Sequence, residues 1–321
     1  MSRGCVLTAA EIHQAPNVSI GMPVYNGEKF IRAALDSLLA QTFTDFELII
    51  SDNASTDGTE FICREYAKKD ERVRYVRQAV NIGGVANFQF VLDEAVGEYF
   101  MWAACDDWWS SRFLEELHLL LDNDENLIVA FSRIQHVHVD GTVFRDYPHL
   151  LDLAKSENRS YLSGFVVRTA FDRYIMQNMI HGKVNIIYGL FRRSLLCQAD
   201  IFRRWGNAGW GADLIMVACA LRYGEVAFSG KSLWKKTESP DSEGSIKKDE
   251  KSSLKSSAFG VFETYMAYMN YVLNVWAVQG EIRGVPDIGI AKRITFVGYE
   301  FIRMNYGFLK QVFRALAGWG K

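Results

Sequence analysis

At 321 residues the chain has room for one large domain or two modest ones, and with 49% of it apolar a sizeable buried core is assured. A formal net charge of -2 removes the broad electrostatic case for a nucleic-acid partner. Its five cysteines, Cys5, Cys63, Cys105, Cys197 and Cys219, are scattered without a CxxC pair, which excludes a zinc cage or disulfide framework and fits a reducing compartment.

Residues 1–16 read as a tail without the apolar run of a signal peptide. No segment reaches the roughly 20 apolar residues that span a bilayer, so a cytoplasmic location is expected. Residues 18–22 form a short apolar strand ending at Pro23. Over residues 28–41, Ile31, Ala34, Leu35, Leu38 and Leu39 fall on one helical face. Residues 46–51 are a second apolar run, stopped by Asp52. Ser55, Thr56, Asp57 and Gly58 supply turn chemistry, and Asp57 with Glu60 predicts a capping box for a helix that places Ile62 and Tyr66 on one side.

Residues 73–77 read as a third strand, and Val85, Phe88, Leu92, Ala95 and Val96 mark a third helix. Residues 99–104 form a fourth strand that runs straight into Asp106 and Asp107. This alternation predicts an α/β fold with a mostly parallel sheet covered on both faces. In such sheets ligands bind beyond the carboxyl ends of the strands. Pro23, Asp52 and Asp106 all fall there, so the pattern points to one site without naming its ligand.

Phe113, Leu114, Leu117, Leu120 and Leu121 define the next helix, followed by a strand over residues 127–134 and a hairpin turn at Asp140-Gly141. His136 and His138 share one face of that strand; with no third ligand at useful spacing they read as an exposed hairpin face. Residues 152–187 are mixed in pattern, and residues 214–223 look helical with Gly224 as the stop. Residues 237–257, rich in Ser, Lys, Glu and Asp, are expected as a mobile surface loop. Residues 258–321 hold helical patterns heavy in Tyr, Trp, Phe and Met.

Adjacent carboxylates repel unless a cation neutralises them, and a nucleoside diphosphate needs such a cation as well. Asp106 and Asp107 therefore suit a metal-diphosphate station; a solvated turn or a helix N-cap is the alternative. Taken alone, Tyr25 reads as a packing aromatic and Asp52 as a turn residue.

Five blocks bear on that choice: Val18-Ser-Ile-Gly-Met-Pro-Val-Tyr-Asn26, AALDSLLAQTF at 33–43, FELIISDNASTDGT at 46–59, Asn81-Ile-Gly-Gly, and Gly97-Glu-Tyr-Phe ahead of Cys105-Asp106-Asp107. In order and spacing over residues 18–121 they resemble the inverting glycosyltransferases of family 2. The resemblance implies a GT-A, Rossmann-like fold with helices flanking the sheet, here followed by a helical C-terminal extension. The GT-A domain is expected over residues 17–236, with a donor half at 17–122 and an acceptor half at 123–236.

The resemblance also implies residue roles. Tyr25 would flank the donor base, Pro23 would offer backbone carbonyl contacts, and Asp52 would accept the imide N–H of uracil or thymine. Asn81 and Gly83 would line the nucleotide pocket. Asp106 would lie near the ribose or metal, and Asp107 would be the principal ligand of Mn2+ or Mg2+. Ala104 departs from the common motif, which has an acidic residue two positions before the pair.

Inverting transfer needs a general base, and Asp213, in Gly209-Trp-Gly-Ala-Asp-Leu-Ile-Met, occupies the matching motif at a helix start. Ala212 stands where relatives often carry a second acidic residue. Trp234-Lys235-Lys236 resembles an aromatic-basic segment whose lysines either meet the diphosphate or form a solvated charge run.

The implied partners are a nucleotide-sugar donor (UDP- or dTDP-linked) and a saccharide or lipid-linked acceptor. The aromatic and basic C-terminal residues leave core packing, a homodimer interface and a peripheral membrane contact all open. No GxGxxG follows the first strand, which sets aside a dinucleotide-dependent oxidoreductase. A nucleotide-sugar-binding protein without turnover stays open on the strength of Ala104 and Ala212.

Overall fold

The computed structural model describes residues 15–146, 185–199 and 224–237. Asp213, the 214–223 helix, the mixed 152–184 stretch, the 238–257 loop and the C-terminal helical region lie outside the described residues.

Four strands, β1 (Val18–Val24), β2 (Phe46–Asp52), β3 (Val73–Arg77) and β4 (Tyr99–Trp102), pair in parallel in the order β3-β2-β1-β4. They alternate with α1 (Ile31–Leu39), α2 (Thr59–Lys69) and α3 (Gly84–Asp93). Every β1 residue except Pro23 is buried, as expected of a parallel strand covered on both faces. α1 meets the core through Ile31, Ala34, Leu35 and Leu38, the face that the apolar spacing marks out.

The sheet continues through β8 (Leu190–Arg192), β6 (Leu127–Val137), β9 (Glu225–Thr237) and β5 (Trp108–Trp109), with β7 (Val143–Asp146) paired to β6. β6 and β9 run parallel, whereas β8, β7 and β5 join antiparallel. α4 (Phe113–Asp122) packs on β6 and β9, and α5 (Arg193–Ala199) follows β8. The parallel donor half predicted from sequence thus opens into a mixed second half.

Three details correct or explain the sequence pattern. The capping box does not form: Asp57 Oδ1 accepts the Thr59 N–H at 3.0 Å, but Glu28 from the neighbouring loop accepts the Gly58 N–H at 2.8 Å. Glu60 is drawn instead to Arg64 at 2.8 Å and Arg77 at 3.2 Å, where it meets full positive charges. The histidine pair is not an exposed face: His136 is wholly buried, and only His138 is exposed. Phe144 covers that side of the hairpin, stacking on His138 at 4.4 Å.

Gln41, in the AALDSLLAQTF block, is a clamp. Its amide donates to the Ser37 and Ser110 carbonyls at 3.0 and 2.7 Å and accepts the Leu114 N–H at 3.0 Å. That last contact satisfies a first-turn donor of α4 that the helix itself leaves unpaired. Arg192 does the reverse at the far end of α4, reaching the Leu121 carbonyl and, at 2.8 Å, the Leu127 carbonyl.

Gly97 is required by close approach. A Cβ there would stand 2.7 Å from the backbone nitrogen of Ser19 and 2.8 Å from the carbonyl carbon of Val18, neither of which can yield. Gly97→Ala is therefore expected to destabilise the protein by about 1–3 kcal/mol, read as a lower urea midpoint. An unchanged midpoint would contradict this packing.

Candidate active site

The parallel register places the carboxyl ends of β1, β2 and β4 side by side, with Val24 opposite Asp52 and Gly21 opposite Trp102. Tyr25, Asp52 and the Ala104–Asp107 turn consequently share one edge of the sheet. Tyr25 is 46% exposed there, while Pro23 is half-buried beneath it in the chain.

The loops after β1 and β2 are zipped together. Asn26 N–H donates to Ser55 Oγ at 2.9 Å, and Asn26 Oδ1 accepts the Thr56 N–H at 2.9 Å. Gly27 N–H reaches Thr59 Oγ1 at 2.8 Å, and Glu28 N–H reaches Asp57 Oδ2 at 3.1 Å. Asn26 and Ala54 both take left-handed backbone angles, φ 52° and 61°. Asn tolerates that region, but for Ala54 it costs about 1–2 kcal/mol, a strain held beside the site.

Asp52 is wholly buried. Its Oδ1 accepts the Ser55 N–H at 2.8 Å, and its Oδ2 accepts Tyr75 O–H at 2.7 Å and Arg77 Nη1 at 3.1 Å. Burial, reinforced by Asp52, pushes the Tyr75 hydroxyl well above its ordinary pKa. A carboxylate has about four acceptor positions, so one remains beside the partly exposed Arg77. Tyr75 and Arg77 escaped the sequence reading. The available signal was a basic residue ending the third parallel strand, in register with Asp52.

Asn81, exposed, uses its Oδ1 to accept from Asn53 Nδ2 at 3.0 Å and from the Gly83 N–H at 2.9 Å. Gly83 has φ 85°, and a Cβ on it would meet nothing within 4 Å, so the glycine serves the turn into α3 and leaves the rim open.

Asp106 is half-buried and Asp107 only 2% exposed. Asp107 Oδ2 accepts Trp234 Nε1–H at 3.0 Å, and Oδ1 accepts the Thr237 N–H at 3.1 Å. Burial raises the Asp107 pKa, and the Asp106 charge adds to it; Lys236 and the two hydrogen bonds oppose the rise. A carboxylate so placed gains from a nearby cation. Among the described residues no group of three His, Cys, Asp or Glu is placed to hold a metal ion. Asp107, with one hydrogen bond on each carboxylate oxygen, and the adjoining Asp106 still fit Mg2+ or Mn2+, which completes its shell with phosphate oxygens and water.

Lys235 and Lys236 are not a solvated run. Each is half-buried, Lys235 over the Trp108 ring at 4.9 Å and Lys236 over Tyr188 at 4.9 Å. Cys63 is buried, and burial, followed by the charges of Asp52 and Asp57, pushes its thiol up to about 12, far from a nucleophile's range.

The family profile described as Glycosyl transferase family 2 matches residues 19–189, more than half of the chain. The chain belongs to that family. Among relatives, an uncharacterized protein of Mycobacterium tuberculosis is 38% identical over 130 residues, covering 39% of this chain and 37% of its own length. Glycosyltransferase GlyA of Streptococcus pneumoniae is 33% identical over 101 residues, 32% of this chain and 14% of that protein. The chain thus spans well under half of each of these relatives.

Two solved structures share the fold of this family 2 chain. Staphylococcus aureus TarS 1–349, in complex with UDP-GlcNAc, aligns with a TM-score of 0.60 at 19% identity, covering 93% of this chain and 73% of that one. The mannosyltransferase PcManGT of Pyrobaculum calidifontis, in complex with GDP-Man and Mn2+, aligns with a TM-score of 0.53 at 16% identity, covering 95% and 75%. The GT-A architecture expected from the sequence is the one observed. Among the described residues no helix is long and apolar enough to cross a membrane.

Proposed function

We propose that this chain transfers a sugar, with inversion, from a nucleoside-diphosphate sugar to a saccharide or lipid-linked acceptor in surface-polysaccharide or glycoconjugate synthesis. The observation that carries this reading is the Asp106-Asp107 pair beyond β4, with Asp107 buried and held by Trp234 and Thr237. Tyr25 and Asp52 lie on the same edge of the sheet, the place for a base and its polar edge.

Asp107, with Asp106 beside it, is the pair that would hold Mn2+ or Mg2+. The ion supplies charge neutralisation for the departing diphosphate. Tyr25 flanks the base, Pro23 contributes its backbone carbonyl, and Asp52 accepts the imide N–H of uracil or thymine. Asn81 and Gly83 shape the rim of the pocket. Asp213 takes the proton of the acceptor hydroxyl as its oxygen attacks the anomeric carbon, while the bond from that carbon to the diphosphate breaks. The structural neighbours in complex with UDP-GlcNAc and with GDP-Man and Mn2+ support a nucleotide-sugar donor and a divalent cation. Action at the cytoplasmic side of the membrane belongs to the same proposal.

The test is release of nucleoside diphosphate from a panel of UDP-, dTDP- and GDP-sugars across varied acceptors, with Asp213→Asn as the control. Turnover of at least one donor, lost in Asp213→Asn with donor binding retained, is the expected result. Donors that bind and are never turned over would leave a nucleotide-sugar-binding protein instead.

A further inference from the structure

Three donors fix the orientation of the wholly buried Asp52 carboxylate: Ser55 N–H on Oδ1 at 2.8 Å, and Tyr75 O–H and Arg77 Nη1 on Oδ2 at 2.7 and 3.1 Å. The first is backbone and the third is an ion pair. The second is a neutral hydroxyl, and a phenylalanine would fill the same place on β3 without it.

The parallel register sets Arg77 directly opposite Asp52 and Tyr75 opposite Ile50. Tyr75 therefore stands two residues back on the same face of β3, and its long ring reaches Asp52 along the diagonal. The ring is fixed independently of its hydroxyl. It is half-buried against the core, with the Arg64 guanidinium 5.1 Å from its centroid. Burial, followed by the bond to Asp52, pushes the hydroxyl pKa well up, so it stays a donor.

We infer that Tyr75 is a positioning residue for nucleobase choice: with Ser55 and Arg77 it pins the Asp52 carboxylate so that a single acceptor position is left for the base. The inference rests on the donor-site reading above, in which Asp52 accepts an imide N–H. Uracil and thymine present that N–H, whereas cytosine presents a bare N3 acceptor, which a pinned acceptor rejects. Without the Tyr75 hydroxyl the carboxylate is held by Ser55 and Arg77 only and regains a second open position. That position takes the exocyclic amine of cytosine, and the discrimination narrows.

The experiment is calorimetric titration of UDP, dTDP, CDP and inorganic pyrophosphate, each with Mn2+, into the full chain as wild type, Tyr75→Phe, Asp52→Asn and the double variant. Matching melting temperatures establish an intact fold, and Asp52→Ser stands in where the amide does not fold. Wild type is expected to prefer UDP or dTDP to CDP by at least ~100-fold. Tyr75→Phe should weaken the preferred diphosphate ~10-fold and narrow that preference by at least as much, with pyrophosphate unchanged and no further effect once Asp52 is replaced. With a donor that is turned over, KM should rise by the same factor while kcat stays within about 2-fold. Wild-type affinities in Tyr75→Phe, an equal loss for every probe, or a loss that persists beside Asp52→Asn would each overturn the role of Tyr75 alone. No diphosphate binding, or a wild type that binds CDP as tightly as UDP and dTDP, would instead sink the base-reading role of Asp52, and the inference with it.

Discussion

Asp107→Asn is expected to lower turnover at least ~1000-fold, about 4 kcal/mol of transition-state stabilisation, and to remove the tightening of nucleoside-diphosphate binding by Mn2+. A carboxamide has one acceptor oxygen where the carboxylate has two. Whichever way it is turned, its NH2 group faces either Trp234 Nε1–H or the Thr237 N–H, both of which are donors. One buried donor is then left unpaired, at a cost of about 1–3 kcal/mol. Against this, the substitution removes a charge that burial disfavours, as the raised pKa of Asp107 records. The two terms oppose each other, so a melting shift of only a few degrees is expected beside the large loss of activity. Retention of Mn2+-dependent turnover near the wild-type rate would remove Asp107 from the metal site.

Trp234→Ala is expected to cost about 3–5 kcal/mol of stability, measured by urea unfolding. Trp234 is 1% exposed and packs edge-on against Phe131 at 6.4 Å and tilted against Tyr188 at 5.1 Å. It is also the donor that fixes one oxygen of Asp107, so truncation loosens the site while opening a cavity beneath it. Trp234→Phe separates the two effects. It keeps most of the packing and loses the N–H to a carboxylate, a bond worth about 1.5–3 kcal/mol. The Phe variant should therefore retain a cooperative transition but bind the metal-diphosphate pair more weakly than wild type. An Ala variant as stable as wild type would show that Trp234 is not the joint between β9 and the site.

The first hundred or so residues were legible because their signals are local. The apolar face of α1, the short runs of β1 to β4 and the Asp-Asp turn each lie within a few residues, and periodicity reports such elements directly. Capping at α2 was misread because the competing carboxylate, Glu28, comes from another loop, and because Glu60 has two arginines to choose from. His136 was misread because the face of a hairpin strand is exposed or buried according to what packs on it. The mostly parallel expectation held through β4 and then met antiparallel partners, since nothing in the pattern of β8 or β5 encodes the strand it will join.

The sequence by itself determined the family, the α/β alternation and the placing of Tyr25, Asp52 and Asp106-Asp107 at the carboxyl ends of strands. Each of those follows from residue type and short spacing. Tertiary structure alone decided what surrounds them: Tyr75 and Arg77 closing over Asp52, and Trp234, Lys236 and Thr237 around Asp107. The Asp107 partners stand 127 and 130 residues away along the chain. Contacts over that distance arise only when β5 pairs with β9 across the sheet, and the burial that shifts Asp107 comes into being with them.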